Sequence, residues 1–96
     1  MAAPISPQQA MTLLSTDKAL LVDLREPDEY RSLRIKEARL LPLSVLPLLP
    51  DPLPAEAKDK AIIFFCHSGG RTKANAALLD VLAPGQARLL QGGITA

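Results

Sequence analysis

The sequence predicts an α/β domain built on a parallel sheet with helices on both faces. Short apolar runs at Ala19–Leu24, Ala61–Phe65 and Ala87–Leu90 alternate with helix-forming segments across short connections. The 96 residues are enough for one compact domain over 1–96 and too few for two. Apolar residues make up 48% of the chain, which supports a core. Tyr30, Phe64 and Phe65 are the only aromatics, so that core is aliphatic.

Taken in order, Ile5 ends a very short strand and Ser6 opens a helix. Ser6 is a capping residue, Pro7 suits the first helical position, and Gln9 is placed to reach back to the cap. This helix carries Ala10, Met11, Leu13 and Leu14 and stops near Ser15 to Asp17. Ala19–Leu24 reads as a buried strand with the polar Asp23 at its mouth. Arg25-Glu26-Pro27 breaks it, and Asp28–Leu33 is a short helix with acids at its start and Arg31 and Arg34 toward its end, matching the helix dipole. Ala38–Leu41 is a third strand. Pro42–Pro54 is Leu/Pro-rich. Ser44 is positioned to cap a short helical turn containing Pro47, and the rest is a rigid connector. Ala61–Phe65 is the strongest strand, β-branched and aromatic throughout most of its length. A glycine-containing loop, Cys66–Gly70, leads to a helix over Arg71–Leu82 with an apolar stripe of Ala74, Ala77, Leu78, Val81 and Leu82. Pro84-Gly85 ends that helix, Ala87–Leu90 is the last strand, and Gly92-Gly93 turns the chain.

Composition excludes several classes of function. A net charge of +1 argues against a nucleic-acid footprint; the basic stretch Arg31, Arg34, Lys36 and Arg39 is interrupted by Glu37 and reads as a solvated face. One cysteine permits no internal disulfide and no Cys-rich metal site, and a single histidine argues against a metal centre, so no metal and no cofactor is expected. The lone thiol suits a reducing compartment, and no basic-then-apolar leader is seen, so a cytoplasmic location is expected. The longest apolar stretch, Leu40–Leu53, is broken by four prolines and does not read as a membrane span.

The chemistry concentrates where the central strand runs into Cys66-His67-Ser68-Gly69-Gly70-Arg71 and then a helix. A short strand-to-helix loop lies at a helix N-terminus, where unpaired N–H groups converge. Gly69 and Gly70 permit positive φ and let amides turn inward. Such a site lowers the pKa of a thiol below its free value of about 8.5 and so favours the nucleophilic thiolate. Arg71 adds a permanent positive charge, and Ser68 and Thr72 offer hydroxyl donors. The cradle also fits a persulfide anion one sulfur longer. The competing reading is a cysteine serving as a small apolar core residue; the two glycines and Arg71 weigh against it. His67 is adjacent to the cysteine on a curled loop, so it reads as a rim residue, and no separated histidine supports a papain-like dyad.

These residues resemble a known family. Cys66–Thr72 (CHSGGRT) is similar to the active-site loop of rhodanese-like domains, written C-x-x-G-x-R. Leu21–Tyr30 (LVDLREPDEY) resembles the family's strand signature of an aspartate and arginine followed by a proline and an acidic-aromatic pair. Leu33–Ala38 (LRIKEA) corresponds to its G-H-I-P-x-A segment, and Leu89–Gly93 (LLQGG) to its L-x-G-G turn. The matches run in order from about Ile5 to Gly93, and the chain looks closest to single-domain bacterial rhodaneses, including the cytoplasmic domain of membrane-anchored ones. The resemblance implies a three-layer α/β/α domain with a parallel sheet of four or five strands and the strand ending at Phe65 near its centre. It also implies a sulfurtransferase. Cys66 would take a sulfane sulfur from a donor such as thiosulfate or a low-molecular-weight persulfide, and pass it to cyanide in vitro or to a thiol or protein acceptor. The amides of His67, Ser68, Gly69, Gly70 and Arg71 would stabilise the persulfide. Arg71, with Lys73, would attract the anionic donor. Asp23, Arg25 and Glu29 would be mainly structural, with Arg25 pairing an acid and supporting the loop.

The sequence departs from the family pattern at Arg34, which replaces a histidine, and at Lys36, which replaces a proline. After the double glycine the family continues into a tryptophan-containing helix, and this chain has no tryptophan. The expectation is a C-terminally short domain with one apolar sheet face uncovered, favouring an oligomer or a partner. Two rival functions remain. One is a non-catalytic binding or regulatory module. The other is a phosphatase of the related fold, disfavoured because four residues separate Cys66 from Arg71 where those enzymes have five. A redox sensor would lack a resolving cysteine.

Overall fold

A computed structural model describes residues 2–48, 53 and 57–95. The elements are β1 (Ala3–Ile5), α1 (Pro7–Ser15), β2 (Ala19–Asp23), α2 (Pro27–Ser32), β3 (Arg39–Leu40), β4 (Ala61–Phe65), α3 (Gly70–Ala74), α4 (Ala76–Leu82) and β5 (Ala87–Leu90), with 3₁₀ turns at Leu46–Leu48 and Gly93–Thr95. All five strands are parallel, in the order β1-β5-β4-β2-β3. β4 is central, as the family resemblance implies, and Ile62, Ile63, Phe64 and Phe65 are fully buried. A parallel central strand is covered on both faces, which is why this run has no polar alternation.

The two faces of the sheet bury different clusters. Ile63 and Phe65 point toward α1 and pack with Ile5, Ala10, Leu21 and Leu90. Ile62 and Phe64 point the other way, toward Leu79 and Ala83 of the α4 region and toward Leu46. The α1 start is the expected capping box: the Gln9 N–H donates to Ser6 Oγ at 3.2 Å, and the Ser6 N–H donates to Gln9 Oε1 at 3.1 Å. An open, mainly apolar groove of about 580 Å³ lies on the α1 face, lined by Met11, Leu14, Ile35, Leu90 and Ile94 among others. Among the described residues no helix is long and apolar enough to cross a membrane.

Three sequence expectations are corrected. The helix expected over Arg71–Leu82 is two helices, broken at Asn75, whose backbone leaves helical geometry (φ −114°, ψ 19°). The Asn75 side-chain amide donates to the Arg71 carbonyl at 2.8 Å, satisfying a backbone group at the break. Restarting the helix changes its phase, so the predicted stripe is largely on the wrong face. Ala74, Ala77 and Val81 are exposed, Leu78 and Leu82 are half-buried, and Leu79 is the fully buried residue. Ser44 does not cap the turn that follows. Its hydroxyl donates to Glu26 Oε1 at 2.6 Å, linking the start of the proline segment to the start of α2. The proline segment is not merely a connector where it is described, because Leu46 is fully buried and the Leu43 N–H bonds the Leu24 carbonyl at 3.1 Å. Residues 49–52 and 54 of the predicted connector lie outside the described residues.

Two residues of α4, Leu79 and Val81, give opposite expectations in urea denaturation. Leu79→Ala should cost about 2–5 kcal/mol, as a buried leucine leaves a cavity. Val81→Ala, at 75% exposed, should stay within about 0.5 kcal/mol.

Candidate active site

The C-terminal ends of β2 and β4 are neighbours, with Asp23 paired to Phe65 in register. The residues following those two strands, Leu24-Arg25 and Cys66-His67, therefore emerge side by side, at the edge where open α/β sheets place ligands. Cys66 is a free thiol, 1% exposed, and belongs to neither apolar cluster. The chain curls round it. Gly69 adopts φ +101°, a conformation open mainly to glycine, and its N–H donates to Cys66 Sγ at 3.2 Å.

Burial pushes the Cys66 thiol pKa up, and it is the largest single influence. The amides of Thr72, Gly69, Arg71 and Ser68 together outweigh it, so the pKa lies below the ordinary thiol value. Of the five amides expected round the sulfur, those of Ser68, Gly69 and Arg71 act on it, joined by the Thr72 amide, which the sequence reading did not include. The hydroxyl expectation is corrected for Thr72: its Oγ1 donates to the Gly69 carbonyl at 2.9 Å and holds the curl shut from behind. Ser68 and His67 are exposed on the rim. Gly70 does not use a positive φ, and a Cβ there would meet nothing within 4 Å.

A second layer holds the curl from the β5 side. The Ile94 N–H donates to the Cys66 carbonyl at 2.9 Å. Gly93 sits so close that an added Cβ would lie 2.4 Å from the Cys66 oxygen and 2.7 Å from that of His67, at φ +58°. The LLQGG segment is therefore part of the site's wall. In sequence it carried only a turn signal; the double glycine was its visible trace.

The charged residues form a relay from β2 to the loop. Asp23 and Arg25 are buried at 0% and 2% exposed and pair directly, with Arg25 Nη2 on Asp23 Oδ2 at 2.9 Å and Nε on Oδ1 at 3.1 Å. Arg25 also donates to the carbonyls of Glu29 and Leu33. Its hydrogen bonds thus pin α2, and among the described residues none of them reaches the cysteine loop. From α2, Glu29 receives both terminal nitrogens of Arg71 at 2.7 Å each. The Glu26 N–H also donates to Glu29, at 3.1 Å. The Arg71 bonds, then the Glu26 amide, lower the Glu29 pKa from an ordinary 4.5 to about 2, and the same pairing raises that of Arg71. Lys73 is exposed, and its ammonium bonds none of the described residues.

Gly93→Ala should cost more than about 1 kcal/mol, through strain at positive φ and backbone overlap, and should slow alkylation of Cys66. Gly70→Ala should stay within about 1 kcal/mol. Acid unfolding should report the Glu29 pair. Because the folded pKa is depressed, the pair's stabilisation is present above the ordinary value of 4.5 and is lost as pH falls toward about 2. The urea midpoint of the native protein should therefore fall more steeply over that window than that of Glu29→Gln.

Comparison with known proteins agrees with this arrangement. Residues 6–96 match the rhodanese-like domain family. The chain is 34% identical over 84 residues to a sulfurtransferase from Allochromatium vinosum, covering 88% of this chain and 76% of that one. Its fold matches the human single-domain sulfurtransferase TSTD1 with a TM-score of 0.79 at 26% identity, over 97% of this chain and 92% of that one. A rhodanese-related protein from Thermoplasma volcanium has the same fold, with a TM-score of 0.79 at 24% identity, over 96% of this chain and 86% of that one. The parallel five-stranded sheet, the cysteine curled within backbone amides and these matches place the chain in the rhodanese-like domain family.

Proposed function

We propose that this protein is a sulfurtransferase that carries a sulfane sulfur as a persulfide on Cys66. The observation that carries this reading is the Gly69 N–H on Cys66 Sγ, with further amides converging on the same sulfur. Neutral donors fixed in the backbone stabilise an anion without needing to reorganise when it forms. The sulfurtransferase name of relatives similar over most of the chain supports the same chemistry.

With thiosulfate as donor, the Cys66 thiolate attacks the outer sulfur. A new S–S bond forms, the donor's S–S bond breaks, and its electron pair leaves on sulfite. Cys66 then holds a terminal sulfur with one negative charge. A cyanide or thiolate acceptor attacks that sulfur, the Cys66–sulfur bond breaks, and its electron pair restores the Cys66 thiolate. A low-molecular-weight persulfide serves as donor by the same displacement, with its thiolate as leaving group. Lys73 is the exposed cation on the loop's helix available to draw anionic donors. The reduced thiol this cycle needs suits the cytoplasm.

Incubation with thiosulfate followed by intact mass measurement should show a gain of one sulfur atom, discharged by cyanide. Cys66→Ser should gain nothing. Hydrolysis of an aryl phosphate without any sulfur gain would favour the phosphatase reading instead. Absence of both would leave a non-catalytic module.

A further inference from the structure

We propose that Glu29 is a positioning residue that holds Arg71 back from incoming anions. Arg71 thereby serves the sulfur site as a brace instead of as the cation that captures the donor. The proposal deepens the sulfur-transfer reading by assigning what governs access of charged donors.

Four observations carry it. Both Arg71 terminal nitrogens are taken by the two oxygens of one carboxylate at 2.7 Å, the fork geometry that fixes a guanidinium in a plane. Glu29 is itself held from its own backbone: its side chain accepts the Glu26 N–H, and its carbonyl accepts from the buried Arg25. None of the residues of α2 is buried, so the helix contributes little to the core and is held by polar contacts, this carboxylate among them. The second carboxylate nearby, Glu26, is occupied by the N–H and hydroxyl of Ser44 and so is not competing for Arg71. The guanidinium is therefore a structural tie between α2 and α3, and Lys73 is left as the unpaired cation of α3 among the described residues.

Alkylation of Cys66 tests this without turnover. Iodoacetamide is neutral and iodoacetate is an anion, and both react by one displacement: the thiolate forms a C–S bond and iodide departs with the electron pair. The ratio of the two rates cancels thiolate fraction and loop looseness, which affect both reagents alike. What it retains is how the rim treats a negative charge.

Glu29→Asp keeps the charge but shortens the side chain, so the fork is lost and Arg71 is freed. The ratio of iodoacetate to iodoacetamide rates should rise about 2- to 3-fold at low salt, the scale of one unit charge within about 6 Å in a watery setting. It should fall back in high salt. Glu29→Gln should raise it further, and by at least about 3-fold more in the native background than in an Arg71→Gln background. The proposal is overturned if Glu29→Asp leaves the ratio unchanged, or if Glu29→Gln raises it equally in both backgrounds. Either result would make Glu29 simply one more negative charge. Failure of thiosulfate to load Cys66 would sink the sulfur-transfer reading separately, because the alkylation ratio still decides the role of Glu29.

Discussion

A sulfur anion buried at the end of a central strand is tolerable only if something replaces the water it has lost. Here the replacement is backbone: the Gly69 N–H at 3.2 Å and the neighbouring amides of the curl. Burial alone would raise the thiol pKa and keep the proton on the sulfur. The amides reverse the sign of that shift. Every other feature of the site can be understood as a means of keeping the curl closed at that radius.

Two kinds of restraint do so. One acts directly on the backbone of the curl. Gly69 supplies the positive φ that turns the amides inward, Thr72 Oγ1 ties the Gly69 carbonyl from behind, and Gly93 allows the β5 turn to lie against the Cys66 and His67 carbonyls. The other is electrostatic and runs across elements. Asp23 and Arg25 emerge from β2, Arg25 secures α2, and Glu29 on α2 grips Arg71 on α3. The buried Asp23–Arg25 pair would be costly if left half-made, because loss of one partner strands the other charge away from water. Its guanidinium satisfies that demand with the carboxylate and two carbonyls at once.

The division of labour between the two arginines could be separated only in three dimensions. In sequence, Arg25 is near Asp23 and Glu26, and Arg71 is near no acid at all. Folding places Arg71 beside a carboxylate that is 42 residues away in the chain. The same long-range effect relocated Ser44 from a helix cap to a partner of Glu26, and made Gly93 a neighbour of the cysteine carbonyl. Local pattern reading has no access to such pairings, since they depend on strand order and on which strand ends share an edge.

The central placement of Ala61–Phe65 came only from the family resemblance, while by itself the sequence determined the element types, the parallel α/β class and the cysteine curl. These follow from short-range rules: apolar run length, capping chemistry, and glycine at a tight strand-to-helix turn. Tertiary structure decided what those rules leave open. It set the break at Asn75 and the burial of Leu79 over Val81, because a restarted helix takes its phase from the sheet it packs on and not from its own stripe. It also chose the partner of each charge, since an ion pair is fixed by distance through space and the chain records only distance along itself.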